Sequence, residues 1–268
     1  MSEILTRRSL LAGAGYVAAG TTLASRILSI AEAEEAAPSG APQGQAGAPM
    51  LCMTMVFPNV AKSKFNQDRY VSKHLPLLRK VYGDSVARIE LRMAQASPPG
   101  LPPASVTATE HVWIANVPAF AKALAGSAKD INEDLDATAQ GPRISQVDRV
   151  IASAGGPLAD VKESSLVFTT FYRVTEGKNL DLDYFRTAHI PKLFAMYGAS
   201  ATRRIEGLQG QDQGTAKATF LATTHIYSRD RGAFDDGVKQ NLNDTIDDIK
   251  KYTNIAPEFN EFRVQAIG

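Results

Sequence analysis

All four histidines of this chain fall at matching positions of one internal repeat, and that repeat limits the folds open to it more than any other feature. One copy reads Tyr70-Val-Ser-Lys-His74-Leu-Pro76 followed by Tyr82-Gly83; the other reads Phe185-Arg-Thr-Ala-His189-Ile-Pro191 followed by Tyr197-Gly198. Asp68, Leu78, Ser85 and Arg88 return as Asp183, Leu193, Ser200 and Arg203, every pair 115 positions apart. Glu110-His111-Val112-Trp113 then matches Thr224-His225-Ile226-Tyr227, and Ala119-Phe120 matches Ala233-Phe234, with the offset reduced to 114 as a single loop indel would do. A chain of 268 residues therefore divides into two units of about 100 residues, expected over 50–153 and 165–268 with a linker at 154–164 around Gly155-Gly156-Pro157.

Each copy spells strand, helix, strand, strand, helix, strand. In the first, Met50 to Phe57 is an apolar strand, and Asn66 and Asp68 open a helix that stops at Gly83. Val86 to Met93 and Thr107 to Asn116 alternate as strands. Pro118 starts a second helix in its first turn, where a missing N–H costs nothing, and Ile144 to Ile151 closes the unit. The second copy follows the same order: Leu166 to Val174, Asp183 to Tyr197, Ala201 to Leu208, Ala218 to Ser228, Ala233 to Tyr252 and Phe259 to Ile267. This βαββαβ order predicts an α+β fold of two tandem ferredoxin-like units. Helices cover one face of each sheet, so the bare faces are expected to pack on each other as an intrachain α+β barrel.

Thr6-Arg7-Arg8-Ser9-Leu10-Leu11 precedes a weakly apolar, Gly- and Ala-rich run to Ser25. Residues 1–33 resemble a twin-arginine signal with small residues Ala31 and Ala33 before a cut, which predicts periplasmic location through the twin-arginine export machinery. Residues 34–49, rich in Ala, Pro, Gly and Gln, form an expected disordered linker. Net charge is +1 with no basic run and no acidic tail, which argues against nucleic acid or anionic membrane as the main partner. The single cysteine, Cys52, excludes an intrachain disulfide and reads as a small buried strand residue.

Side-chain alternation places Thr109, His111 and Trp113 on one strand face and Thr223, His225 and Tyr227 on the matching face of the other copy, lining the space between the sheets. His74 and His189 follow Tyr70 and Phe185 by four residues, so each ring pair shares a helix face. Pro76 and Pro191 leave the carbonyls of Ser72 and Thr187 without a donor, which should loosen the helix beside each histidine. Histidine separations of 37 and 36 residues within a copy do not make a metal site, and phosphate-loop, dinucleotide, GxSxG and Cys-nucleophile motifs are absent.

The aromatic-xxx-His-x-Pro helix with its Tyr-Gly end, twice inside a βαββαβ frame, resembles the EthD family. That resemblance implies a dimeric α+β barrel, here fused in tandem, associated with degradation or biosynthesis of small, often aromatic or ether-type, organic compounds. It marks His74 and His189; His111 and His225 come from strand parity. Together they give an expected site of His74, His189, His111 and His225 for acid/base work, with Tyr70, Trp113, Phe185 and Tyr227 against the ligand. One histidine of each pair would act as base and the other as acid or orienter, in an isomerase- or lyase-type reaction without cofactor. A non-catalytic small-molecule carrier and a haem-binding barrel with a histidine axial ligand are the alternatives, and a homo-oligomer of the tandem unit is a further open assembly.

Overall fold

The computed structural model describes residues 51–95, 104–213 and 216–268. The expected export signal, the expected linker and the expected strand start at Met50 lie outside them. Within them, the first half contains β1 (Leu51–Pro58), helix α1 (residues 67–82), β2 (Val86–Ala94), β3 (Val106–Ile114), α2 (Val117–Thr138) and β4 (Ile144–Gly155). The second half repeats the order as β5 (Leu166–Arg173), α3 (residues 182–201), β6 (Thr202–Gln211), β7 (Phe220–Ser228), α4 (Arg231–Tyr252) and β8 (Glu258–Ile267).

The eight strands close into one antiparallel barrel in the order β1-β3-β2-β8-β5-β7-β6-β4, with the helices outside. The expected intrachain α+β barrel is thus the observed fold. Closure depends on the last strand of each half. β4 pairs with β1 through Ile144 to Arg149 and with β6 of the other half through Val147 to Gly155. β8 likewise pairs with β5 through Glu258 to Arg263 and with β2 through Phe262 to Ile267. The halves are therefore stitched edge to edge, and the barrel sheet closes without an open edge. Part of the expected linker is consequently strand: Ala154 and Gly155 extend β4 onto Ile205 and Arg204. Gly155 permits this, since φ is +94° and a Cβ there would sit 2.5 Å from the Arg203 carbonyl oxygen.

Local sequence explains the helices. Asn66 accepts from the Arg69 N–H and starts α1; Asp181, not Asp183, accepts from the Tyr184 N–H and starts α3. Each then passes through one π-helical turn, Tyr70–His74 and Phe185–His189, before resuming as α-helix. With Pro76 and Pro191 unable to donate, the ladder slips by a residue: Leu75 N–H bonds to the Tyr70 carbonyl and Ile190 N–H to that of Phe185. The predicted loosening is this turn, and both histidines end it.

Helix α3 breaks at Gly198, where φ is +75°, and a short turn carries the chain on to Ala201; the strand after it starts one residue later than in the first half, which shifts the repeat. Arg88 faces Trp113 and Arg204 faces Tyr227 across their ladders, so the counterpart of Arg88 is Arg204, not Arg203 as the constant spacing implied. Arg203 falls instead at a bulge between Thr202 and Arg204, matching Ala87. Apolar packing forms one core between helices and sheet in each half, including Tyr70, Leu78 and Phe120 in the first and Phe185, Leu193 and Phe234 in the second. A third lies inside the barrel around Val167, Phe171, Tyr227 and Phe262.

Candidate functional site

Strand parity carries His111, Trp113, His225 and Tyr227 into the barrel interior, as the alternation predicts, and all four are fully buried. The two imidazoles, one from each half, meet edge to face with centroids 4.7 Å apart. His74 and His189 lie on the opposite side of the sheet, in the layer between helices and strands. The expectation that all four rings share one interior is therefore corrected. Within each half the two histidines are separated by the sheet, so they cannot serve as base and orienter of one reaction. Tyr70 and Phe185 also sit in this outer layer, each against its helix histidine.

Each outer histidine is clamped to the second helix of its half. His74 Nδ1 lies 2.9 Å from Asp134 Oδ2, and His189 Nδ1 lies 2.8 Å from Asp248 Oδ2. Lys192 and Tyr184 also donate to Asp248, at 2.8 and 2.9 Å. Burial pushes the Asp248 carboxyl upward, but these donors outweigh it and hold the group below the usual carboxylate range. Burial lowers His189. At neutral pH the unit is thus a neutral imidazole donating to a carboxylate. The halves differ at the next shell: Tyr70 donates to Glu110 Oε2 at 2.6 Å, and that oxygen lies 3.7 Å from His74 Nε2. In the second half Phe185 and Thr224 replace this pair.

Inside the barrel the strands deliver charge. Glu90 accepts from Arg88 Nε and, at 2.8 Å, from Arg92 Nε; Glu206 accepts from Arg204 Nε at 2.8 Å. Arg92 crosses the interior to donate to Tyr227 Oη at 2.5 Å, and its guanidinium carbon lies 5.5 Å from the Trp113 ring centroid and 5.1 Å from that of Tyr227. Thr54 donates to Asp148 at 2.6 Å, which uses its only proton. Its oxygen, 3.3 Å from His111 Nδ1, therefore accepts from that ring, and Thr109 Oγ1 lies 3.0 Å from Nε2. His225 Nδ1 lies 3.1 Å from Thr169 Oγ1.

Burial pushes Asp148 up to about 6. Burial, reinforced by Arg92, holds His111 and His225 well below an ordinary imidazole, so both are neutral. Four buried polar atoms of this region have no hydrogen-bond partner among the described residues: Arg92 Nη1, Trp113 Nε1, His225 Nε2 and Glu206 Oε2. Orphans are rare in folded interiors, and a group of them calls for an occupant.

Sequence reading missed most of this set. Asp134 and Asp248 stand 114 positions apart, like their helices, and Glu90 and Glu206 stand 116 apart, like Arg88 and Arg204. A search for repeated carboxylates at a drifting offset finds them. Arg92 has no such signal, since Leu208 takes its place. A haem does not fit the interior: His111 meets His225 and Arg92 reaches Tyr227 across the space a macrocycle needs.

Fold and site together define a single-chain α+β barrel, of the kind that dimeric α+β barrel proteins close with two sheets, enclosing a charged and hydrogen-bonded centre. Among solved structures, the chain is similar to a candidate monooxygenase from Fusobacterium nucleatum subsp. nucleatum, with TM-score 0.57, 13% identity and coverage of 83% of this chain and 95% of that one. It is also similar to a candidate monooxygenase from Lactobacillus acidophilus NCFM, with TM-score 0.52, 13% identity and coverage of 82% and 96%. An EthD-like protein from Ralstonia eutropha JMP134 aligns at 26% identity over 37% of this chain and 91% of its own, with TM-score 0.32. No family model and no curated protein matches the chain.

Proposed function

We propose that the barrel interior binds a small, flat organic molecule carrying at least one oxygen acceptor, and that His225 moves a proton on it without a cofactor. The observation that carries this is the set of unpartnered buried atoms. Arg92 Nη1 and Trp113 Nε1 can donate only, Glu206 Oε2 as carboxylate can accept only, and His225 Nε2 does either according to tautomer. Trp113 and Tyr227 supply aromatic walls for the ligand. The EthD-like motifs support the same substrate class.

With Nδ1–H donated to Thr169, His225 presents the Nε2 lone pair to an acidic C–H or O–H of the ligand. Negative charge then develops on the ligand oxygen, where the Arg92 and Trp113 donors oppose it. The imidazolium returns the proton to a second atom of the same molecule, so the net change is an isomerisation. In this reading His74 and His189 hold helices on the sheet and do not touch the ligand. The complete enclosure of His225 also favours a carrier, which would keep its ligand without turning it over. The paired Arg7-Arg8 supports a periplasmic location, checked by fractionating cells that express the chain with and without them.

Native mass spectrometry of the purified protein, with identification of any released compound, tests the reading. The wild type should carry a small organic adduct and Arg92→Met should lose it; His225→Gln should retain it and show no turnover. Retained binding with no turnover in the wild type selects the carrier. An empty wild type that takes up no aromatic carbonyl compound overturns both.

A further inference from the structure

The repeat exposes a second, unshared feature. At one end of the barrel Lys162, Arg203, Arg229, Arg231 and Arg263 line a surface pocket with Glu163 as the acidic member. Three of these cations occupy positions where the first half has uncharged residues: Arg203 matches Ala87, Arg229 matches Ala115 and Arg231 matches Val117. Arg203 sits at an irregularity of the β6–β7 ladder, a feature common beside sites, and lines the pocket. Asp235 and Glu261 engage Arg231, yet after counting both and Glu163 two positive charges remain.

The remaining cations are held in place without being neutralised. Arg263 donates to the Ser164 carbonyl at 3.0 Å and Lys162 to that of Ala159 at 3.0 Å. Arg203 and Arg229 make no ion pair among the described residues, and Arg203 Nε is buried with no partner at all. Ser164 on the pocket wall has φ +66°, a left-handed conformation that a non-glycine residue adopts at a cost. Unpaired guanidinium forks around a concave wall match a tetrahedral oxyanion better than a single carboxylate.

We infer that this pocket binds the phosphoryl group of a small soluble ligand, at a site separate from the barrel interior. Inorganic phosphate is the probe. Titrated against chloride at matched ionic strength, it should raise the melting temperature of the wild-type chain saturably, and calorimetric titration should show one class of site. Arg203→Ala/Arg229→Ala should melt at the wild-type temperature without phosphate and bind it at least tenfold more weakly. Arg203→Lys/Arg229→Lys, which keeps the charge and loses the forks, should fall between them. An equal phosphate response in the alanine variant, or no saturable response in the wild type, overturns the inference. Co-sedimentation with phosphatidylglycerol vesicles without a phosphate response would make the pocket a membrane contact and overturn it as well.

Discussion

Replacing His225 by Gln should make the protein less sensitive to acid, because His225 is neutral when folded and ordinary when unfolded. Its ring is fully buried, and burial together with the Arg92 charge holds its folded pKa well below 6.5. The unfolded chain takes up a proton there below about pH 6.5, while the folded protein does not. More protons on the unfolded state means that stability falls as pH falls. The contribution is complete above about pH 6.5 and declines by about 1.4 kcal/mol per pH unit below it. From about pH 8 to about pH 5 this amounts to about 2 kcal/mol. Asp148 works the other way: raised to about 6, it binds its proton more readily when folded and adds stability as pH falls from there towards 3.8. It is common to both proteins and cancels in their difference. Urea unfolding of wild type and His225→Gln across this range should therefore give curves that converge by about 2 kcal/mol at the acid end. Parallel curves would mean that the folded ring protonates as easily as the unfolded one, and that the interior is wet and open.

Tyr70→Phe should cost about 2 kcal/mol by leaving buried Glu110 without its phenol donor. Tyr70→Phe/Glu110→Thr, which copies the second half, should recover most of the loss in a double-mutant cycle by chemical denaturation. Asp248→Ala should cost about 3 kcal/mol because His189, Tyr184 and Lys192 all lose their acceptor; an unchanged urea midpoint would show that the clamp is idle. Gly155→Ala combines a backbone at φ +94° with a 2.5 Å approach to the Arg203 carbonyl. It should cost at least about 2 kcal/mol, read as a lower thermal midpoint.

The barrel was legible because the duplication displays its own period, and each copy has bare-face residues that only a second sheet can cover. Parity alone then sent His111, Trp113, His225 and Tyr227 inward. The same alternation carries Arg88, Glu90 and Arg92 inward, yet charged residues on a strand read as solvent-facing until a partner is known. Helix periodicity put His74 beside Tyr70 without saying which layer the pair would enter. That layer follows from long-range packing against Asp134, 60 residues away, which no local pattern records. The strand character of Ala154 and Gly155 was hidden for a related reason. Gly-Gly-Pro punctuates a chain locally, and only pairing with β6 of the other half makes the stretch extend.

That exchange of edges sets an order of events during synthesis. When the first half has left the ribosome, β2 still has no neighbour on one side, because its partner β8 comes only at the end of the second half. A nascent intermediate must then wait with a naked ladder across the translation of more than a hundred further residues, a span over which sticking to other chains competes with completion. Yield in the cell should accordingly track how fast the tail arrives, more than how tightly the finished molecule holds together.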